Sequence, residues 1–270
     1  TKEIIKSISS FSSMSSIEEE RKILESYGGG CHQKIGASVE VLKVGLVKTT
    51  KGETEEGRNI SKRVFVANKE NKTFFSNVSD KNYFPANKEE QSFFKRVNLR
   101  DAENELPKII NKGIYVSRSN AIEASIKIED SNIIWTSGVD TWISLAKKGF
   151  WVNGTSDSLG ENNSPGENPF KDTDWLKISH ADAEKDDVKI IATYKLEPLE
   201  IKKRMQSCEY FYWMSASSFK LAINTFPEIL LKKHSCGLGN TYDFINGMVP
   251  ENIYPCLNYD SWLQEIKANH

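Results

Sequence analysis

The chain has 270 residues, 38% of them apolar and 27% charged, which is too long for one average domain and suits two or three small ones with buried cores. Its 37 acidic and 36 basic residues leave a net charge of -1, which gives no broad preference for nucleic acid or an anionic membrane. The longest apolar runs, such as Ile114–Val116 and Phe211–Met214, are too short to span a bilayer, and no apolar N-terminal segment suggests a secretion signal.

Residues 15–27 read as a helix. Ser16 can cap it, Glu18, Glu19 and Glu20 suit its first turn, and Ile17, Ile23, Leu24 and Tyr27 share one face. Gly28-Gly29-Gly30 ends the helix and places Cys31 on the loop after it. Two alternating stretches, Ala37–Leu46 and Ile60–Ala67, flank the polar segment Lys48–Asn59, which suggests a small antiparallel sheet with a polar turn. Residues 1–67 are therefore expected to form a compact α+β domain.

Residues 68–112 are rich in Lys, Asn and Glu and read as a connector docked on the C-terminal half of the chain. From Gly113 the texture becomes strand, polar turn, helix. GIYVSRSNAIEASI and NIIWTSGVDTWISLAKKGFWVNG are two such units, and EYFYWMSASSFKLAINTF and HSCGLGNTYDFINGMVP repeat the pattern. This alternation predicts two α/β lobes with mostly parallel sheets, at 113–187 and 205–270, with VKIIATYKLEP as a lone bridging strand within 188–204. The Asn-, Gly- and Pro-rich stretch Glu161–Asp174 reads as a surface loop.

Hydroxyl and amide residues gather where strands hand over to helices: Ser117, Ser119, Thr136, Ser137, Thr141, Ser215, Ser217, Asn240 and Thr241. Such positions bind anions through free backbone N–H groups, and in open α/β sheets they are where ligands sit. They also serve simply as helix caps. Histidines 32, 180, 234 and 270 do not pair at ligand spacing, and Gly237-Leu238-Gly239 lacks the third glycine of a dinucleotide fingerprint. Cys31, Cys208, Cys236 and Cys256 show no zinc or C-x-x-C spacing, so reduced thiols in a cytoplasm are expected.

Glu20-Arg21, Gly29-Gly30-Cys31 and Ile35-Gly36-Ala37 stand in one register. That stretch resembles the third, C-terminal domain of porphobilinogen deaminases (hydroxymethylbilane synthases). The resemblance implies that Cys31 carries a thioether-linked dipyrromethane when the first two deaminase domains lie upstream; alone, the chain is not expected to polymerise porphobilinogen. The position after Tyr27 departs from the family, as do His32-Gln33-Lys34 after the cysteine. A small buried residue is the other reading of Cys31. A start at Thr1 rather than Met fits a trimmed piece of such a fusion.

The second half is similar to uroporphyrinogen-III synthases. The matching features are Tyr115–Ala121 and Trp213–Ser218, each a strand with serines opening a helix; Ser137–Trp142 and Gly237–Tyr242, each with a glycine and a threonine before a helix; and the bridging strand Ile191–Tyr194. The resemblance implies a lyase that binds hydroxymethylbilane between two lobes and cyclises it with the last ring inverted, with Tyr194 helping to expel the hydroxyl. An aromatic in the lobe interface is the other reading of Tyr194. The family's opening strand-helix unit is not evident; Arg63–Val66 could supply its strand, but no helix comes after it. A non-catalytic module that binds a tetrapyrrole or another anion is the alternative.

Overall fold

The computed structural model describes residues 11–28, 34–68, 74–79, 81–156, 172–181 and 188–269. The chain is mixed α/β, with a helix and a three-stranded antiparallel sheet first and two parallel-rich sheets later. It divides into two compact units, Thr1–Ser76 with Pro255–Leu257, and Asn77–Tyr254 with Asn258–His270.

In the first unit, α1 (Phe11–Glu25) packs on β1 (Lys34–Leu42) of a sheet completed by β2 (Gly45–Glu53) and β3 (Asn59–Ala67), paired in the order β1-β2-β3. The helix begins well before the expected Ser16, so Ser16 is interior rather than a cap, and Glu18–Glu20 lie along the body of the helix. Two of these acids hold the helix to the sheet. Glu20 Oε1 accepts from the Val39 N–H at 2.9 Å, and Glu19 pairs with Lys22 and Lys48. Lys22, with Lys48 beside it, holds the Glu19 carboxyl down at about 2.

The expected polar turn Lys48–Asn59 is mostly strand. Lys48–Glu53 belong to β2, where Val47 and Thr50 are buried. Threonine suits a pleated, half-buried surface, and counting polarity alone hides that. The actual turn is Thr54–Arg58, where Gly57 takes φ +77°. Arg63–Val66 lie in β3 of this antiparallel sheet and not in a parallel one.

The second unit contains two sheets. The larger is ordered β5-β10-β9-β6-β7-β8, built from β5 (Phe94–Asn98), β6 (Gly113–Val116), β7 (Ile133–Thr136), β8 (Gly154–Thr155), β9 (Trp175–His180) and β10 (Lys189–Pro198). All its pairings are parallel except β5 with β10. The smaller is ordered β13-β12-β11-β4, from β4 (Tyr83–Phe84), β11 (Tyr210–Trp213), β12 (Lys233–Cys236) and β13 (Ile253–Pro255); β11 runs parallel to both β4 and β12.

Residues 68–112, expected as a connector, supply an edge strand to each of these sheets, β4 and β5, as well as the short helix α2 (Arg100–Glu105). The expected lone bridge β10 is hydrogen-bonded on both sides, to β9 and to β5. β9 has no counterpart among the expected elements.

Three of the four expected strand-helix units form, with α3 (Val139–Lys147), α4 (Ala216–Thr225) and α5 (Asn240–Met248) after β7, β11 and β12. The fourth does not. After β6 the chain makes only a 3-10 turn at Ser119–Ala121. Ile122, Ile126 and Ile128 are β-branched and lower helix propensity there. Lys148 Nζ also donates to the Ser119 and Ile122 carbonyls at 2.6 and 2.7 Å, occupying acceptors a helix would use. The final helix, α6 (Tyr259–Ala268), carries a reciprocal cap between Asn258 and Ser261.

The two sheets have different cores. Around the larger one sit Leu106, Ile114, Val116, Ile122, Leu145 and Ile178, all fully buried. Around the smaller one sit Phe84, Phe93, Phe211, Trp213 and Phe219. Every residue of β11 is buried, as a strand covered on both faces requires. The expected loop from Glu161 lies outside the described residues up to Lys171.

Candidate functional site

The candidate site is built where the strands of both sheets in the second unit end. At the end of β6, Ser117 donates its N–H to the Ile178 carbonyl, so the chain leaves the sheet with the Ser117 hydroxyl turned inward. At the end of β11, Ser215 caps α4, its Oγ accepting from the Ser218 N–H at 3.1 Å. After β12, Gly239 precedes α5 without a side-chain cap, which leaves Asn240 and Thr241 at an open helix start.

These positions converge on a cleft of about 380 Å³. Ser117, Arg118, Lys177, Ser179 and His180 line it from the larger sheet, as do Arg96, Tyr194 and Leu196 on the β5–β10 ladder. Met214–Ser218 and Lys220, at the start of α4, line it from the smaller sheet, together with Asn240, Thr241 and Phe244 of α5. Gln91, Ser92, Phe93 and Phe94 complete the lining, and among the described residues no aspartate or glutamate belongs to it. Among the described residues the lining thus carries basic side chains and no acidic one, although the chain as a whole is near neutral.

Tyr194 sits at an irregularity in β10, where the register with β9 shifts between Ala192 and Tyr194. Its side chain is buried, its ring lies 6.0 Å from that of His180, and the Arg96 guanidinium stands 5.7 Å from its centroid. Burial pushes the phenol above its ordinary value, while Arg96 and Arg118 pull it the other way. It stays protonated at neutral pH and can donate a hydrogen bond. Lys220 Nζ lies 4.2 Å from the Phe244 ring centroid, at the opposite wall.

Of the residues expected from the sequence, the fold gathers Ser117, Tyr194, Ser215, Ser217, Asn240 and Thr241 around this one cleft. Four others are elsewhere. Thr136 is fully buried, its hydroxyl donating to the Gly138 carbonyl at 3.2 Å. Ser137 donates to the Ser117 carbonyl at 2.8 Å, bracing the β6 end from behind. Ser119 opens the 3-10 turn and Thr141 lies in the first turn of α3; neither lines the cleft. Strand ends point both ways, and only strands flanking the cleft turn their hydroxyls into it.

Arg96, Arg118, Lys177 and Lys220 are not among the residues expected from the sequence. Arg118 stands inside the Ser-Arg-Ser motif, and Lys177 interrupts the otherwise apolar Trp175–Ile178; both are visible signals. Arg96 and Lys220 carry none.

His234 is fully buried in the smaller core. Its Nδ1 accepts from Trp213 Nε1 at 3.0 Å, and burial pushes its pKa down to about 4. It is a neutral core histidine and does not line the cleft.

Cys31, the expected cofactor cysteine, lies outside the described residues. Tyr27 and Lys34, on either side of it, line a second cavity of about 390 Å³ with Glu53, Glu55, Glu56 and Arg58. Lys34 and Arg58 already pair with Glu53 and Glu56 there.

No family model matches the chain, and no curated protein matches its sequence. Among the described residues no His, Cys, Asp and Glu cluster could hold a metal ion, and no helix is long and apolar enough to cross a membrane.

Proposed function

We propose that the second unit is a uroporphyrinogen-III synthase-type lyase of tetrapyrrole biosynthesis, acting in the cytoplasm on hydroxymethylbilane. The observation that carries this reading is the cleft itself. Arg96, Arg118 and Lys177 stand on one wall, and two helix starts with Lys220 on the other, with a protonated Tyr194 in the lining and no carboxylate among the described lining residues. A flexible linear polycarboxylate needs this kind of container, since both walls can hold carboxylates and draw its ends together.

The chemistry asks little of the protein beyond positioning. The pyrrole nitrogen of the terminal ring expels the hydroxyl, which leaves as water with Tyr194 donating the hydrogen bond that assists it. The far ring attacks the resulting azafulvene at its substituted carbon to give a spiro centre. Reopening and closure then invert that ring, and a ring proton is lost. Arg96, by stacking against the Tyr194 ring, fixes the phenol's direction.

The test is the isomer ratio formed from fresh hydroxymethylbilane, because the type I product arises without any enzyme. The chain should raise the share of type III, and Tyr194→Phe should cut that rate by about tenfold to a hundredfold with little change in KM. Type I alone, from the parent chain, would sink the enzyme reading.

A second reading, a binding module without catalysis, is favoured by one feature. The edge strand β4 is two residues long and leads into a 3-10 turn at Lys88–Gln91, where the synthases have a full strand-helix unit. Bilane bound tightly but closed only to type I would select it.

For the first unit we propose a deaminase cofactor domain that acts only behind its two upstream domains. The chain alone should carry no dipyrromethane, and an intact-mass increment on Cys31 would contradict this.

A further inference from the structure

We infer that Phe94, Leu196 and Met214 form a slot in the cleft for the flat face of an aromatic ring, whose rim carboxylate reaches Arg96. This rests on the reading of the cleft as a polyanion site and adds to it the part of the ligand that is not acidic.

One side of the slot is a product of strand register. β5 and β10 pair antiparallel, with Phe94 opposite Pro198 and Arg96 opposite Leu196. Residues opposite each other or two apart share a sheet face, so Phe94, Arg96, Tyr194 and Leu196 project together, and all four line the cleft. Lys95, Val97, Lys195 and Glu197 alternate with them and are absent from the lining. Phe94 packs on the aromatic core and Leu196 on the aliphatic one, and both stay half-buried. The other side comes from the smaller sheet. β11 is buried at every residue, yet Met214, directly after it, is 41% exposed and lines the same cleft. A single exposed methionine is ordinary. Apolar side chains from two sheets lining one cleft form a patch, and such patches mark binding sites.

Both kinds of lining set the chemistry of the occupant. Basic side chains, with no acid among the described lining residues, select an anion. Apolar side chains select against an anion hydrated on every side, such as inorganic phosphate, because its lost water is not replaced there. A flat ring with carboxylates on its rim satisfies both, since it has two apolar faces and a charged edge. Methionine suits such a face, because its thioether is polarisable and its chain adapts to the ring it meets. Arg96 suits the edge. Its guanidinium stands 5.7 Å from the Tyr194 centroid, and its side chain makes no hydrogen bond or ion pair among the described residues. An arginine held over a ring by its face keeps its in-plane N–H groups for a carboxylate.

The experiment uses the full chain and titration calorimetry with stable polycarboxylates. Uroporphyrin I and coproporphyrin I carry rings, whereas butanetetracarboxylate has as many carboxylates as coproporphyrin I and no ring. The parent should bind coproporphyrin I about tenfold or more tightly than butanetetracarboxylate. Met214→Gln, close in shape but polar, should weaken both porphyrins by about fivefold and leave butanetetracarboxylate unchanged, with Met214→Leu recovering the parent affinity. The Tm of Met214→Gln should match the parent's, since the side chain is exposed. Arg96→Gln should weaken the binding of every probe. Equal affinity of the parent for coproporphyrin I and butanetetracarboxylate overturns the slot, as does porphyrin binding that Met214→Gln leaves unchanged. Isomer ratios separate the slot from the proposed reaction. A ring preference lost in Met214→Gln, with no type III from the parent, keeps the slot and removes the lyase. Type III formation with KM unchanged in Met214→Gln keeps the lyase and removes the slot.

Discussion

The two halves of the second unit meet the same cleft with different materials. The six-stranded half is aliphatic inside, with Ile114, Val116, Ile178 and Leu145, and presents charged side chains, Arg96, Arg118 and Lys177. The four-stranded half is aromatic inside, with Phe84, Phe211, Trp213 and Phe219, and presents mainly hydroxyls and helix starts at Ser215–Ser218 and Asn240–Thr241, with Lys220 as its basic side chain in the described lining. Charge on flexible side chains attracts from a distance and weakens with salt, whereas helix starts act at contact range and are already in place. One half recruits an anion and the other shapes it.

The largest effect expected bears on the aromatic half. His234 titrates near 4 when folded against an ordinary value of 6.5, so only the unfolded chain takes up its proton between those values. Stability should therefore fall by up to about 3 kcal/mol as pH drops from 6.5 through 4. Near-ultraviolet circular dichroism, dominated by the tryptophans, would track the loss. His234→Gln keeps an acceptor for Trp213 and should flatten the profile; an unchanged acid transition would break this assignment.

Next comes the charged wall. Arg96→Glu combined with Arg118→Glu should weaken uroporphyrin I binding by roughly a hundredfold, with a shallower dependence on salt. Titration calorimetry at two salt concentrations measures both. Equal losses from removing hydroxyls on the other wall would erase the distinction between the halves.

A smaller effect concerns Glu90. It takes a bidentate grip from Arg204 and accepts from the Ala86 N–H, and Arg204 holds its carboxyl down at about 2. This contribution is complete above the ordinary carboxylate value of 4.5 and fades as pH falls toward 2. Glu90→Gln should cost about 2 kcal/mol at neutral pH, read by urea unfolding, and a variant as stable as the parent would count against the grip. The smallest effect is at Ser215, where alanine removes the α4 cap and should cost about 1 kcal/mol in the same assay while lowering affinity only severalfold.

How much of this can be read in the sequence depends on how local each signal is. α4 and α5 are legible because β11 is a solid apolar run, Ser215 is a good cap, and α4 comes at once. The hydroxyl wall comes with them, since caps and ligand contacts are the same atoms there. The 3-10 turn after β6 reads as a helix because its competing donor, Lys148, lies 29 residues from Ser119. β4 is hidden by its length, since two residues carry no period. β9 is hidden by the adjoining polar stretch. The cationic wall is the least legible. Arg96 and Lys177 come from two strands and Arg118 from the turn after a third, and only the joining of those strands in one sheet brings them to one cleft.

The ladder between β5 and β10 has a mechanical side. It ends at Pro198 opposite Phe94, with one last bond from the Leu199 N–H to the Phe93 carbonyl at 2.9 Å. Just past it, Phe93 is buried in the aromatic core, and Phe94 and Ile201 pack against that core. The two chain crossings between the halves thus start side by side and are anchored in the aromatic core. The strand that carries Tyr194 is therefore also the strand that ties the two halves together, so the spacing of the cleft's walls and the placement of the phenol are set by one ladder.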